Sequence, residues 1–176
     1  MKKRWLILVL LICAGVGGFW FVTIPATTIP NGSDSKAFFT TGPFEVINET
    51  FKAVDENRST QAYKDFPGRP ERVLEGEIWR PASPQQPGPL LVYSHGFLSF
   101  HEEGLYLVRF LAGHGYTVLA VNYPLTGFRA PDGPLMRDIV NQPGDVSFLI
   151  DTMLKRNADP VDVLLATIDP KKIAVA

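Results

Sequence analysis

The 176-residue chain has a single cysteine, Cys13, and only three histidines. One thiol rules out an intrachain disulfide and a thiolate zinc cluster, so neither a disulfide-stapled small fold nor a zinc finger is open to it. Basic charge is scarce once the first residues are set aside. Lys2, Lys3 and Arg4 precede any acid, the first of which is Asp34, and from residue 31 onward 14 basic residues face 18 acidic ones. A mildly acidic body lacks the cationic footprint of a nucleic-acid binder, so no nucleic-acid partner is expected. Internal repeats, low-complexity tracts, Gly-x-Gly-x-x-Gly and phosphate-cradling loops are all missing, which leaves nucleotide binding without a motif. His101-Glu102-Glu103 opens like a zinc-protease helix, but position 105 is Leu where the second histidine belongs. Neither a metal nor another cofactor is implied.

What is present is enough apolar material for one core: 45% of the chain is hydrophobic and 20% charged, with 15 Gly and 15 Pro dispersed through it. That balance argues against disorder, collagen and coiled coil alike. Residues 5–24 run for twenty positions without a charge directly after the three cations, the length a helix needs to cross a hydrocarbon core. This segment reads as a signal peptide or a membrane anchor. Phe19, Trp20, Phe21 and Val22 carry the apolar stretch past the usual length of a cleavable signal, which favours the anchor. The cationic end then stays in the cytoplasm and the body faces outward, or is secreted or periplasmic if the segment is cut. Cys13 follows Ile12 rather than the small residue of a lipoprotein signal, and reads as a small apolar residue of the membrane segment. Residues 25–36, with Pro25, Pro30, Asn31, Gly32 and Ser33, read as a linker, and residues 37–176 as the folded domain. Glycosylation sequons stand at Asn31, Asn48 and Asn57.

Within the body, residues 73–79 alternate apolar with Glu and Gly as a half-buried strand does, and four prolines in residues 81–89 then break regular structure. Leu90-Leu91-Val92-Tyr93 and Thr117-Val118-Leu119-Ala120-Val121 are unbroken apolar runs, suited to strands covered on both faces as in a parallel sheet. Between them Leu105, Val108, Leu111 and Ala112 recur at helical spacing, with Glu102 and Glu103 at the expected start and Gly113 or Gly115 at the end. Pro143 and Asp145 open a second helical stretch, in which Val146, Leu149, Ile150, Met153 and Leu154 share a face and Lys155 and Arg156 close it. Ile173-Ala174-Val175-Ala176 then reads as a buried strand. Such alternation predicts an α/β fold, a mostly parallel sheet with flanking helices, preceded by one apolar helix.

In open α/β sheets ligands bind beyond the carboxyl ends of the strands, where this sequence places Ser94-His95-Gly96-Phe97 and Asn122-Tyr123-Pro124. Gly96 is expected to let the backbone turn sharply and aim the Phe97 amide at a developing oxyanion. A plain strand-end turn with His95 bonded to the loop fits the same residues. Ser94 and His95 are neighbours in sequence and so face opposite ways in a strand, a poor arrangement for a nucleophile and its base. His114 reads as a helix cap, Asp145 as a helix-start acid and Asp151 as part of a solvated face. Phe97, Phe100 and Tyr123 are candidates for an apolar acyl pocket, although core packing explains aromatics equally well.

Three strings together resemble the α/β-hydrolase family: Gly-Pro-Leu-Leu-Val-Tyr-Ser-His-Gly-Phe, Gly-His-Gly-Tyr-Thr-Val-Leu-Ala-Val-Asn-Tyr-Pro and the terminal Asp-Pro-Lys-Lys-Ile-Ala-Val-Ala. They are most similar to its platelet-activating-factor acetylhydrolase and dienelactone-hydrolase-like branch, in which Thr41-Gly42-Pro43-Phe44 and Glu77-Ile78-Trp79-Arg80-Pro81-Ala82 also have counterparts. The resemblance spans roughly residues 40 to 176. It implies the amino-terminal part of a hydrolase that cleaves carboxylic esters through a serine. It further implies that a strand like residues 173–176 lies mid-sheet and leads straight into a Gly-x-Ser-x-Gly elbow, with the acid and histidine later still. On that expectation the sequence is incomplete and this piece is inactive by itself. The Phe97 N–H supplies half of an oxyanion hole, His95 and Gly96 shape its loop, and Phe100 and Tyr123 flank the acyl group. Phospholipid acetyl esters, polyesters and small lactones are all compatible substrates. Two other classes stay open: a membrane-anchored noncatalytic binding protein, and lyase or transferase chemistry on a similar fold.

Overall fold

A computed structural model of the chain describes residues 40–176, and the compact unit within it is Thr41–Ala176. Five strands, β1 (Val46–Asp55), β2 (Arg72–Pro81), β3 (Gly88–Tyr93), β4 (Thr117–Asn122) and β5 (Ile168–Val175), form one sheet in the order β1-β2-β4-β3-β5. Helix α1 (Leu105–Gly113) joins β3 to β4, and a 3-10 turn (Met136–Asn141) followed by α2 (Gln142–Ala158) joins β4 to β5.

The sheet is mixed, not mostly parallel as the apolar runs suggested. β1–β2 and β2–β4 pair antiparallel, while β3 pairs parallel with both β4 and β5. The reason lies in the connections. Parallel neighbours need a crossover, and α1 and α2 supply two of them. No helix stands between β1 and β2 or between β2 and β3, so the first two strands enter antiparallel. The expected apolar helix of residues 5–24, the linker and the start of the domain at 37 lie outside the described residues. Among the described residues no helix is long and apolar enough to cross a membrane.

The core divides between the two faces of the sheet. Leu74, Ile78, Leu90, Val92, Leu119 and Val121 pack with Leu149 and Met153 of α2, whereas Trp79, Leu91, Val118 and Ala120 pack with Val108 and Ala112 of α1. β3 and β4 are therefore covered on both sides, which is why they read as unbroken apolar runs. Helix α1 begins later than expected: Gly104 is its N-cap and its first turn holds no acid, so Glu102 and Glu103 lie in the preceding turn. A Cβ at Gly104 would sit 2.5 Å from Cζ of Tyr93, so a side chain there must push the end of that ring aside. In α2, by contrast, Pro143 stands in the first turn and Lys155 and Arg156 in the last, favourable ends for the helix dipole.

β5 also departs from expectation. It starts at Ile168, five residues before the apolar run, and pairs only with β3, so among the described residues it is an edge strand rather than a buried interior one. Val175 is 52% exposed. Pro170 has no N–H to donate, which an edge tolerates, and the β3–β5 register shifts between Gly88 and Leu90.

Candidate functional site

The loop leaving β3 and the loop leaving β4 meet beyond the carboxyl ends of the strands. His95 is buried and uses both ring nitrogens. The Tyr123 backbone N–H donates to Nε2 at 3.2 Å, so Nδ1 carries the proton and donates to the Gly96 carbonyl at 2.8 Å. Burial holds the His95 pKa below the ordinary imidazole range, with the Gly96 hydrogen bond opposing that shift. A neutral imidazole with both nitrogens engaged is a fastener, not a free base.

The Gly96 carbonyl also accepts the Ser99 N–H at 3.1 Å. In a trans peptide the C=O and the N–H point in opposite directions, so pinning the Gly96 oxygen from two sides fixes the direction of the Phe97 N–H. That N–H has no acceptor among the described residues. A Cβ at Gly96 itself would meet no atom within 4 Å outside its chain neighbours.

The source of the turn differs from expectation. Gly96 is not in the left-handed region; Leu98 is, with φ 68°. Leu98 holds that conformation because its N–H donates to the Thr126 carbonyl at 3.0 Å while the Phe128 N–H donates to the Ser99 carbonyl at 2.8 Å. These two bonds clasp the β3 loop to the β4 loop across Gly127, where a Cβ would lie 3.5 Å from His95 Cε1. Left-handed backbone at a branched, non-glycine residue costs about 1 kcal/mol or more, and such strain concentrates at functional loops.

Tyr123 is buried, and its hydroxyl is 2.7 Å from Ser94 Oγ. Burial raises its phenol pKa, opposed by the Ser94 hydrogen bond, and the proton stays on at neutral pH. Ser94 is thus paired with a phenol, and neither nitrogen of His95 is available to activate it. Tyr123 lines a cavity of about 260 Å³ with Phe66, Arg69, Asn122 and Gly127, from which Phe97 and Phe100 are absent, and Phe100 lies under Arg129 at 6.0 Å instead. His114 bonds the Phe110 carbonyl through Nδ1 at 2.8 Å at the end of α1, and Asp151 is exposed on α2. Among the described residues no three His, Cys, Asp or Glu side chains gather to hold a metal.

Sequence reasoning missed an ionic cluster under the β4–α2 connection. Arg72, 1% exposed, donates to both carboxylate oxygens of Asp138 (3.2 and 2.9 Å) and to both of Asp145 (2.7 and 2.7 Å). Arg58 adds contacts to Asp145 at 2.9 Å and to Asp55 at 2.6 Å. Burial works against the Arg72 charge, but the hydrogen bonds and charges of Asp145 and Asp138 outweigh it and raise the guanidinium pKa. Asp145 stands in the first turn of α2 as expected, yet its carboxylate points inward to this cluster. Arg72 stands one residue before the alternating stretch 73–79, and that local pattern carries no sign of its burial. Gln142, between the two aspartates in sequence, donates through Nε2 to Thr126 Oγ1 at 2.8 Å, which ties the segment held by the cluster to the β4 loop that clasps the β3 loop. Compared with known proteins, the chain matches no family model and no curated protein at a significant level.

Proposed function

We propose that this chain supplies the oxyanion-binding half of a serine-dependent carboxylic ester hydrolase, the Phe97 N–H donating to the carbonyl oxygen as negative charge develops on it. The observation that carries the reading is the Gly96–Phe97 peptide, held by His95 and Ser99 with its N–H unpaired among the described residues. A preorganised donor of this kind stabilises a tetrahedral intermediate with no reorganisation at the moment of reaction. In that reaction a serine Oγ attacks the ester carbonyl carbon, a base takes the hydroxyl proton, and the alcohol then leaves with a proton returned by that base.

The serine, its base and the supporting acid are not among the 176 residues in this reading, because Ser94 and His95 are committed elsewhere. The carboxyl end of β5 lies beside the loop, with the Ser94 N–H donating to the Ala176 carbonyl at 2.6 Å and the Ala176 N–H to the Val92 carbonyl at 3.1 Å. A turn following β5 would deliver a serine next to Phe97, in keeping with the resemblance to α/β-hydrolases. The substrate is a small-molecule or lipid-like ester. The body faces outside the cytoplasm, tethered through residues 5–24 or released.

The test is to read the coding DNA past the Ala176 codon and express the product it encodes. Gly-x-Ser-x-Gly is expected within the next few codons, with hydrolysis of a chromogenic short-chain ester that is abolished by serine-to-alanine substitution. In that product Phe97→Ala keeps the amide and activity, whereas Phe97→Pro removes the donor and lowers kcat about 100-fold or more. Equal activity of the two variants, or hydrolysis surviving loss of the serine, refutes the reading and leaves a noncatalytic binding protein.

A further inference from the structure

Five of the twelve large apolar side chains exposed among the described residues come from one loop system: Leu98, Phe128, Met136, Ile139 and Val140. Phe128 is 68% exposed and Val140 76%. Hydrogen bonds hold the segments that carry them together. Thr126 accepts the Leu98 N–H on its carbonyl at 3.0 Å and Nε2 of Gln142 on its hydroxyl at 2.8 Å, and the Leu125 carbonyl accepts the Leu135 N–H at 2.6 Å. The 3-10 turn is thereby fastened at both ends to the loop that carries Phe128, and Leu98 is fastened to the same loop. Single exposed apolar residues are ordinary, but several gathered in one region mark an interaction surface.

The charges between them indicate what it meets. Arg129 and Arg137 are exposed, and Arg137 has no ion pair or hydrogen bond among the described residues. Asp132 is the one exposed acid of residues 128–140, because Asp138 is buried on Arg72. This stretch is therefore cationic in a body that from residue 31 onward holds 14 basic against 18 acidic residues. Apolar side chains interleaved with arginine suit the boundary between acyl chains and anionic headgroups. The sequence also keeps a bilayer within reach. Only residues 25–40 separate the uncharged run 5–24 from the compact unit, at most roughly 55 Å of chain at full extension.

We propose that this patch docks the domain on an anionic phospholipid surface, the five apolar side chains entering the acyl boundary and Arg129 and Arg137 meeting lipid phosphates. The proposal rests on the reading of residues 5–24 as a tether and of the substrate as a lipid-like ester. A tethered patch meets the membrane at high effective concentration, so weak contacts suffice. Leu98 adjoins Phe97, so docking brings the amide donor to the surface in which such an ester dissolves.

The experiment uses the full chain with Cys13→Ala and a new cysteine in place of either Val140 or Val161, labelled with the fluorophore NBD. Both valines are exposed, but Val140 precedes α2 and Val161 follows it, and that helix of 17 residues sets its ends about 25 Å apart. Val161 lies between Asp159 and Asp162, which an anionic surface repels. The chains are reconstituted in phosphatidylcholine vesicles with or without about 30% phosphatidylglycerol, and quenching by doxyl-labelled lipid is read. The label at 140 is expected to be quenched in the anionic vesicles and the label at 161 to remain in water. Arg137→Gln should lower the docked-to-undocked ratio about fivefold, and omission of phosphatidylglycerol should lower it further. Equal quenching at the two positions, no quenching at 140, or quenching at 140 that ignores both lipid charge and Arg137→Gln overturns the proposal. So does a signal that follows the number of chains per vesicle, which assigns the patch to a second copy. The underlying readings fail separately: extraction by alkaline carbonate removes the tether, and a chromogenic ester tests hydrolysis. An extracted chain is titrated with the same vesicles, and the same comparison of labels then decides.

Discussion

Replacing Arg72 with Met is the sharpest probe of what holds the site's framework. The side chain is 1% exposed and makes four hydrogen bonds to two carboxylates that are themselves fully buried. Met fills similar volume but donates nothing. Asp145 then keeps Arg58 at 2.9 Å and Asp138 keeps Asn141 Nδ2 at 2.7 Å, so each anion is left half-compensated in a site that excludes water. Removing one partner from a buried ion pair costs about 3–5 kcal/mol, a large share of the roughly 5–15 kcal/mol that stabilises a domain. With a urea dependence of about 2 kcal/mol per molar, the unfolding midpoint should fall by roughly 2 M. Arg72→Lys keeps the charge but not the planar fork that serves two carboxylates at once, and should recover only part of the loss. Replacing Arg72, Asp138 and Asp145 together with apolar residues should restore much of it, because the cost arises from stranded charge. A loss below about 1 kcal/mol for Arg72→Met would refute the assignment of this cluster as the anchor, since that is the worth of a surface pair.

Further outcomes follow from the same geometry. Leu149→Ala, on the buried face of α2, should destabilise by about 2–5 kcal/mol in a urea titration. Gly104→Ala must displace the Tyr93 ring and should cost about 1–3 kcal/mol, whereas Gly96→Ala meets open space and should stay within about 0.5 kcal/mol of the parent; reversal of that order in thermal melts would contradict the loop geometry. Leu98→Gly should raise stability by up to about 1 kcal/mol, because it relieves the left-handed backbone of an exposed side chain. The folded pKa of His95 lies below the ordinary value of about 6.5, so between the two values the unfolded chain binds more protons. Its contribution is therefore whole above about pH 6.5 and is lost as pH falls below that value. His95→Gln should flatten the fall in stability between about pH 7 and pH 5, read from denaturation curves at each pH.

How much was legible depends on what each strand faces. β3, β4 and the apolar stripes of both helices were visible because full burial on a sheet or a single buried helix face leaves a simple pattern. β1 was not assigned at all. Asn48, Glu49, Thr50 and Lys52 hide the buried residues Phe51, Ala53 and Asp55 of an edge strand whose outer face is wet. The antiparallel entry of β2 was missed because direction is set by connections, and a residue pattern does not encode direction. His95, Gly96 and Phe97 were found as a loop, but the residue that turns it is Leu98, which no propensity would nominate. The Arg72 cluster joins residues 66 and 73 positions apart, contacts that local periodicity cannot carry.

The backbone clasp between residues 98–99 and 126–128 couples two stretches that are distant in sequence. Neither can open without breaking bonds to the other, so their amides should exchange with deuterium as one cooperative unit. A motion that admits a bulky molecule to this region must then break these bonds or carry both segments together.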